Sequence, residues 1–203
     1  MSRQERTAWD ERFRAGDHAS EDPDPFLARL DEYLEVLPAA RRPVPGSGSV
    51  ARPRALDLAC GAGRNAVHLA ERGWDVTACD VSLEGLRCAQ ALAARRGVGL
   101  RLFCQDLESI QLPVERFDLV LCFFYLQRDL FPQIRDALCP GGLLVYKTYT
   151  TDQLRFPGRP RHATHMLRPQ ELLKLFRGFR VLVYQEALQG RGVAHLIARK
   201  PAS

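Results

Sequence analysis

The sequence predicts an α/β fold, with one mostly parallel sheet carrying helices on both faces. Three observations predict it. Apolar strand-like runs alternate with helix-patterned segments from residue 54 onward. That alternation needs crossover connections, which set neighbouring strands parallel and bury both faces of the sheet. The last two runs, "FRVLVYQEAL" and "VAHLIARK", are separated only by "QGRG". Four residues are too few for a crossover, so this pair is a hairpin and one of its strands runs against the rest. Seven such runs give a seven-stranded sheet with one reversed strand near an edge.

Taken in order, residues 54–59 (RALDLA) read as a buried strand ending at a glycine loop. Residues 64–72 place Val67, Leu69 and Ala70 on one side of a short helix, which Gly73 stops. "WDVTACD" is the second strand. The helix after it takes Ser82 as its N-cap and ends at Gly97. "VGLRLFCQD" and "FDLVLCFFY" are the third and fourth strands. A helix follows in "RDLFPQIRDAL", where Pro132 belongs to the first turn or kinks the helix. "CPGG" reads as a turn into the fifth strand, "LLVYKTY". After an irregular basic stretch, "RPQELLKLF" is a helix with Pro169 suited to its first position. Ahead of the sheet lie helical patches at 4–14 and 25–37. Residues 38–53, rich in Pro, Gly and Ser, read as a flexible connector.

The chain of 203 residues is near the size of one domain, and its 46% hydrophobic and 26% charged residues are those of a soluble globular protein. The charged N-terminus has no apolar signal-peptide core, and no run is long enough to span a bilayer, so a cytoplasmic protein without a membrane partner is expected. Six cysteines form no C-x-x-C pair and no zinc spacing. They read as reduced, mostly buried thiols and no metal is implied, with Cys60 and Cys122 left open as reactive thiols near the glycine loop. Of the net charge of +5, residues 155–168 contribute +4, through four arginines, two histidines and no acid. So local a charge argues against a nucleic-acid partner, which needs a broader basic surface.

The loop "ACGAGRNA" satisfies the permissive G-x-G-x-x-A dinucleotide pattern, so it does not choose its ligand alone. Its glycines let a ligand approach the backbone, and the next helix presents free N–H groups. Asp57, four residues before Gly61, is poorly placed for a pyrophosphate. It suits a cofactor carrying positive charge, such as S-adenosylmethionine with its sulfonium and α-ammonium. Asp80 ends the second strand, where a carboxylate accepts from both ribose hydroxyls. Asp106 follows the third strand, placed to accept from an adenine amino group with Leu107 beside the ring.

With these residues in view, the chain resembles the class I S-adenosylmethionine-dependent methyltransferases over roughly residues 50–200. The resemblance lies in "DLACGAGRN", "VTACDVS", "QDLE", "FDLVLCFFYL" and "LCPGGLLVY". Within them it looks most like the tellurite-resistance methyltransferases, through "WDERF", "LDLACGAGRNAVHLAERGWDVTACDVS" and "YLQRDLFPQIRDALCPGGLLVYKTYT". The resemblance implies a Rossmann-like three-layer sandwich with strand order 3-2-1-4-5-7-6 and strand seven antiparallel. It divides the chain into an N-terminal helical lid with its linker, 1–50, and a methyltransferase domain, 51–203. It implies S-adenosyl-L-methionine held by Asp57, Ala59, Gly61, Gly63, Arg64, Asp80, Val81, Asp106, Leu107 and Cys122. Trp9 and Arg12 are added as lid residues, because N-terminal aromatics often cover the cofactor in this superfamily.

Methyl transfer from a sulfonium needs alignment and exclusion of water rather than a metal or a covalent nucleophile. An anionic or lone-pair acceptor needs positive groups to hold it. Candidates are Arg64, Arg128 after Tyr125, and the group Arg159, Arg161, His162 and His165; of these, Tyr125, Arg128 and His162 are singled out for positioning the acceptor. The expected acceptor is a small molecule, a chalcogen oxyanion such as tellurite or selenite, or a thiol, with the protein a monomer or homodimer. A larger metabolite or nucleic acid is the alternative, although "CFFY" offers no side-chain amide to hold an exocyclic amine. A nicotinamide-dependent oxidoreductase is the alternative from another class, opposed by Asp57, the acids at the strand ends and the terminal hairpin.

Overall fold

In a computed structural model, residues 3–17, 20–37, 42, 52–158 and 160–202 are described. Most of the proline-rich connector 38–53, and Arg159, lie outside them. The sheet is built from β1 (Arg54–Leu58), β2 (Asp75–Asp80), β3 (Arg101–Cys104), β4 (Phe117–Phe123), β5 (Leu138–Tyr149), β6 (Arg180–Ala187) and β7 (Val193–Arg199). Their order is β3-β2-β1-β4-β5-β7-β6. The first four pairings are parallel, and β7 runs antiparallel to both β5 and β6. The reversed strand is therefore inserted between β5 and the edge, as the short "QGRG" connection and the resemblance both required.

Alternate residues of each strand supply two cores. Leu56, Leu58, Val120, Cys122, Leu144, Tyr146 and Leu196 face α4 (Leu130–Ala137) and α5 (Glu171–Leu175), where Phe131 and Phe176 close the layer. Ala55, Val76, Leu119, Leu121, Val145 and Ile197 face α2 (Arg64–Glu71) and the segment Leu27–Val36. α3 (Leu83–Arg95) starts at Ser82, whose Oγ accepts from the Gly85 N–H at 3.0 Å, a side-chain N-cap as its sequence required. Pro132 falls in the first turn of α4, where its missing N–H costs nothing.

The helical patch expected at 25–37 takes a tighter form, and two further elements depart from the sequence-based expectation. Residues Leu27–Val36 form a 3₁₀ helix rather than an α-helix. Leu27 and Leu30 are buried and Tyr33 follows them at the same spacing of three, which is the period of the tighter helix. "CPGG" is not a turn ahead of β5 but lies within it as a bulge, with the β4–β5 register shifting between Phe117 and Leu119 and Gly141 at φ +76°. Pro169 stands outside α5. Gln170 takes φ +59° and its N–H donates to Glu186 Oε1 at 2.6 Å, which delays the helix to Glu171.

At the N-terminus, α1 (Arg3–Arg14) matches the helix expected there. It packs on the start of α3, where Asp10 Oδ1 accepts from Ser82 Oγ at 2.6 Å and from the Glu84 N–H at 3.2 Å. Phe13 is buried at the same junction, and a Cβ on Gly85 would stand 2.9 Å from its ring. No helix of the described residues is long and apolar enough to cross a membrane.

Candidate cofactor and acceptor site

The C-terminal ends of β1, β2 and β4 meet at one edge of the sheet, where the chain also turns most sharply. Ala59, Gly61 and Gly63 all have positive φ, +55°, +55° and +78°. Glycine is obligatory at 63 for a second reason, since a Cβ there would lie 2.5 Å from the Cβ of Ala89. The loop is thus pressed against α3 and opens α2 toward the sheet edge. It is tied to β2 by Asp80, whose Oδ2 accepts from the Gly61 N–H at 2.8 Å while Oδ1 accepts from the Ser82 N–H at 2.9 Å. Each oxygen has room for another donor, since an ionised carboxylate offers about four acceptor positions. Burial raises the pKa of Asp80 above its ordinary value, against the pull of those backbone N–H groups. Val81, buried beside it, continues the same edge.

Asp57 lies beneath the loop, 1% exposed, on the face that carries α2. Its Oδ2 has no hydrogen-bond partner. Burial, and then the charge of Asp80, push its pKa up to about 8, while Arg64 and the Ala66 N–H pull the other way. An orphaned buried carboxylate oxygen beside a glycine loop fits a ligand that brings a positive donor, and does not fit a pyrophosphate. With the two acceptor positions of Asp80, the residues present match the polar groups of an adenosyl cofactor with an α-ammonium.

Asp106 and Leu107 follow β3; Asp106 is half-buried with Oδ1 accepting from the Glu108 N–H at 2.9 Å, and Leu107 is buried in the core. Cys122 is buried in β4 opposite Leu58. Burial raises the Cys122 thiol to about 12 and, with the Asp57 and Asp80 charges, raises Cys60 well above its ordinary value. Both stay protonated at neutral pH, so neither is a reactive thiolate. Among the described residues no group of three or more His, Cys, Asp or Glu side chains is placed to hold a metal ion. Trp9 and Arg12 share one side of α1, with the guanidinium 4.8 Å from the indole centroid. The contacts of Asp10 set that helix beside Ser82, next to Asp80.

Of the acceptor candidates, Tyr125 follows β4 half-buried, its hydroxyl donating to Gln127 Oε1 at 2.7 Å and its carbonyl accepting from Tyr146 Oη at 2.8 Å. Burial, and next the Cys122 thiol, keep the Tyr125 phenol protonated. Arg128 is committed elsewhere. It forms a fork with Glu171, at 2.7 and 3.0 Å, and donates to the carbonyls of Thr164 and Met166. It therefore fastens the segment after β5 to the loop after β4. His162 and His165 lie exposed on that segment, and Arg161 donates to the Phe156 carbonyl. Arg64 at the loop reaches the Asp22 carbonyl at 3.5 Å and Asp24 Oδ2 at 3.8 Å.

A buried ion pair went unrecognised in the sequence. Lys147 Nζ contacts both oxygens of Asp24 at 2.7 and 2.8 Å, and both side chains are nearly inaccessible. The pair joins residues 123 apart, so no local pattern announces it. One signal existed: the chain has 26 arginines but only 3 lysines, and one lysine interrupts the apolar strand "LLVYKTY".

Comparison with known proteins follows this geometry. Residues 55–142 match the family described as Methyltransferase domain. The malonyl-[acyl-carrier protein] O-methyltransferase of Enterobacter lignolyticus is 30% identical over 211 residues, covering 90% of this chain and 78% of that protein. The chain spans about half the length of other curated relatives that it matches. Among solved structures, TehB from Haemophilus influenzae superposes with a TM-score of 0.69 at 16% identity, over 95% of this chain and 67% of that one. The 1,6-didemethyltoxoflavin-N1-methyltransferase of Burkholderia thailandensis, solved with its substrate and S-adenosylhomocysteine, superposes with a TM-score of 0.63 at 23% identity, over 99% and 91%.

Proposed function

This chain belongs to the class I S-adenosylmethionine-dependent methyltransferases, and from that premise we propose that it methylates a small anionic or thiol acceptor, with chalcogen oxyanions such as selenite and tellurite the first to be tried. One observation carries the reading: the unpartnered Asp57 oxygen under the glycine loop, beside the two open positions of Asp80. S-adenosylmethionine is the cofactor, and when bound it supplies a methyl group already attached to an excellent leaving group. What the protein contributes is binding and alignment. Asp57 would pair with the α-ammonium and give up its proton to do so. Asp80 would accept from the ribose hydroxyls while holding Gly61. Asp106 would accept from the adenine amino group, and Leu107 would give that ring an apolar neighbour.

Tyr125 and the segment fastened by Arg128 form the acceptor wall. Because the Tyr125 phenol is neutral, it donates or packs rather than removing a proton. A selenite or thiolate arrives with its lone pair available, so no base is needed. Arg128 is a positioning residue for the segment that carries His162. α1, with Trp9 and Arg12, serves as the cover of the cofactor.

The test is calorimetric titration with S-adenosylhomocysteine and, separately, NADH, using wild type and Asp80→Asn. Micromolar binding of S-adenosylhomocysteine that the substitution weakens at least about tenfold, with NADH silent, is expected. Binding of NADH in its place would overturn the reading. An acceptor screen from selenite, tellurite and small thiols follows, scored by formation of S-adenosylhomocysteine.

A further inference from the structure

On the α2 side of the sheet edge, an aromatic ring is ringed by cations. Phe124 directly follows β4 and has φ +56°, a left-handed conformation that is strained for a non-glycine residue. It is held there by its N–H, which donates to the Lys147 carbonyl at 2.7 Å. Strain of this kind persists where surrounding structure fixes it, and it concentrates at working sites. The ring lies 5.1 Å from that of Tyr149, 5.2 Å from Lys147 Nζ and 5.8 Å from the Arg191 guanidinium carbon. Arg191 comes from the β6–β7 connection, Lys147 from β5 and Phe124 from the end of β4, so three parts of the chain converge. Arg64, at the start of α2, completes the group through Asp24.

The charges do not balance locally. Lys147 lies below the ordinary lysine range, first through burial and also through Arg191 and Arg64, against the pull of Asp24. His195, stacked on Phe26 at 4.7 Å, feels the same field: burial, then Lys147, bring it down to about 4. Both its ring nitrogens are buried without a partner. Arg191, Arg64 and Lys147 thus face Asp24, which Lys147 binds through both oxygens, while Arg64 also faces the raised carboxyl of Asp57. Arg191 is exposed and Arg64 half-exposed, so both guanidinium groups can be reached from solvent. Like charges gathered around a low-dielectric ring repel unless an anion joins them.

We propose that Arg191, over the Phe124 and Tyr149 rings at the ends of β4 and β5, and Arg64, beside the buried Lys147–Asp24 pair, hold the anionic group of the methyl acceptor. The aromatic pair gives the apolar body of that molecule a surface, and the cations take its carboxylate or oxyanion. This rests on the methyltransferase reading and adds, to the acceptor wall that reading set at Tyr125, the groups that take the acceptor's charge. The same chemistry is present in the α-carboxylate of the cofactor, so the test separates the two sources.

Selenite and benzoate are titrated calorimetrically into wild type, Arg191→Gln and Arg87→Gln, each with and without S-adenosylhomocysteine. Arg87 is exposed on α3 and carries the same charge loss away from the site. Expected is millimolar binding of at least one anion to wild type, weakened about tenfold by Arg191→Gln and unchanged by Arg87→Gln. S-adenosylhomocysteine affinity should move less than about threefold in either variant. Equal losses in both variants, no loss in either, or no anion binding to wild type would overturn the proposal. So would loss of S-adenosylhomocysteine affinity in Arg191→Gln, which would assign the cations to the cofactor. Failure of wild type to bind S-adenosylhomocysteine would sink the cofactor reading instead, and the anion titration on cofactor-free protein would still decide the site.

Discussion

Replacing Asp57 by Asn separates what the site costs from what it does. The folded-state pKa of about 8 against an ordinary 3.8 means that the native protein binds a proton more tightly than the unfolded chain. Stability from this group is therefore fully present below about pH 4, is lost as pH rises, and levels off above about pH 8. At pH 7 roughly three units of that gap have been crossed, on the order of 4 kcal/mol at about 1.4 kcal/mol per unit. An amide cannot ionise, and its NH₂ stands where the protonated acid would carry its O–H. Asp57→Asn should thus match wild type only below about pH 4 and exceed it by about 4 kcal/mol or more near pH 8, or about 8–16 °C in Tm for a chain of this size. The same substitution leaves the α-ammonium of the cofactor without its counter-charge and should weaken S-adenosylhomocysteine by about 30- to 100-fold. Thermal melts of the cofactor-free proteins across that pH range, with calorimetry at pH 8, read both effects. Parallel melting curves, or an Asn variant less stable at every pH, would refute the reasoning.

Other expectations follow from the same contacts. Uptake of S-adenosylhomocysteine near pH 7 should release close to one proton, seen as a dependence of the binding heat on buffer ionisation enthalpy, and Asp57→Asn should abolish that dependence. Gly63→Ala introduces a Cβ at 2.5 Å from Ala89 in a left-handed backbone, so it should destabilise by about 2–4 kcal/mol in denaturant titration and remove cofactor binding. Lys147→Met leaves Asp24 buried without its cation and should cost about 3–5 kcal/mol, most of it recovered when Asp24→Asn is added. Arg128→Ala frees the segment after β5. Because that pair is partly exposed, global stability should change by less than about 1 kcal/mol while limited proteolysis between residues 155 and 166 accelerates.

What the sequence determined by itself is whatever local patterning and short connections dictate. Seven apolar runs, the helices between them and a four-residue final link leave few arrangements of the sheet, and the reversed strand is implied by chain length alone. Ser82 and Pro132 marked helix starts because capping and a missing N–H act within one turn. The acids at the ends of β1 and β2 were legible for the same reason, since a strand followed by a glycine loop fixes where its last side chains point. The 3₁₀ helix at Leu27–Val36, the bulge at Gly141 and the late start of α5 were decided by packing against the sheet and by contacts such as Gln170 with Glu186. Arg128 reads in sequence as a free cation beside Tyr125, and only the fold brings Glu171 to it across 43 residues. Asp24 and Lys147, 123 residues apart, are likewise joined by tertiary structure alone. Period and spacing encode each element and its ends, whereas charge pairing between distant elements exists only once the sheet edge has been assembled.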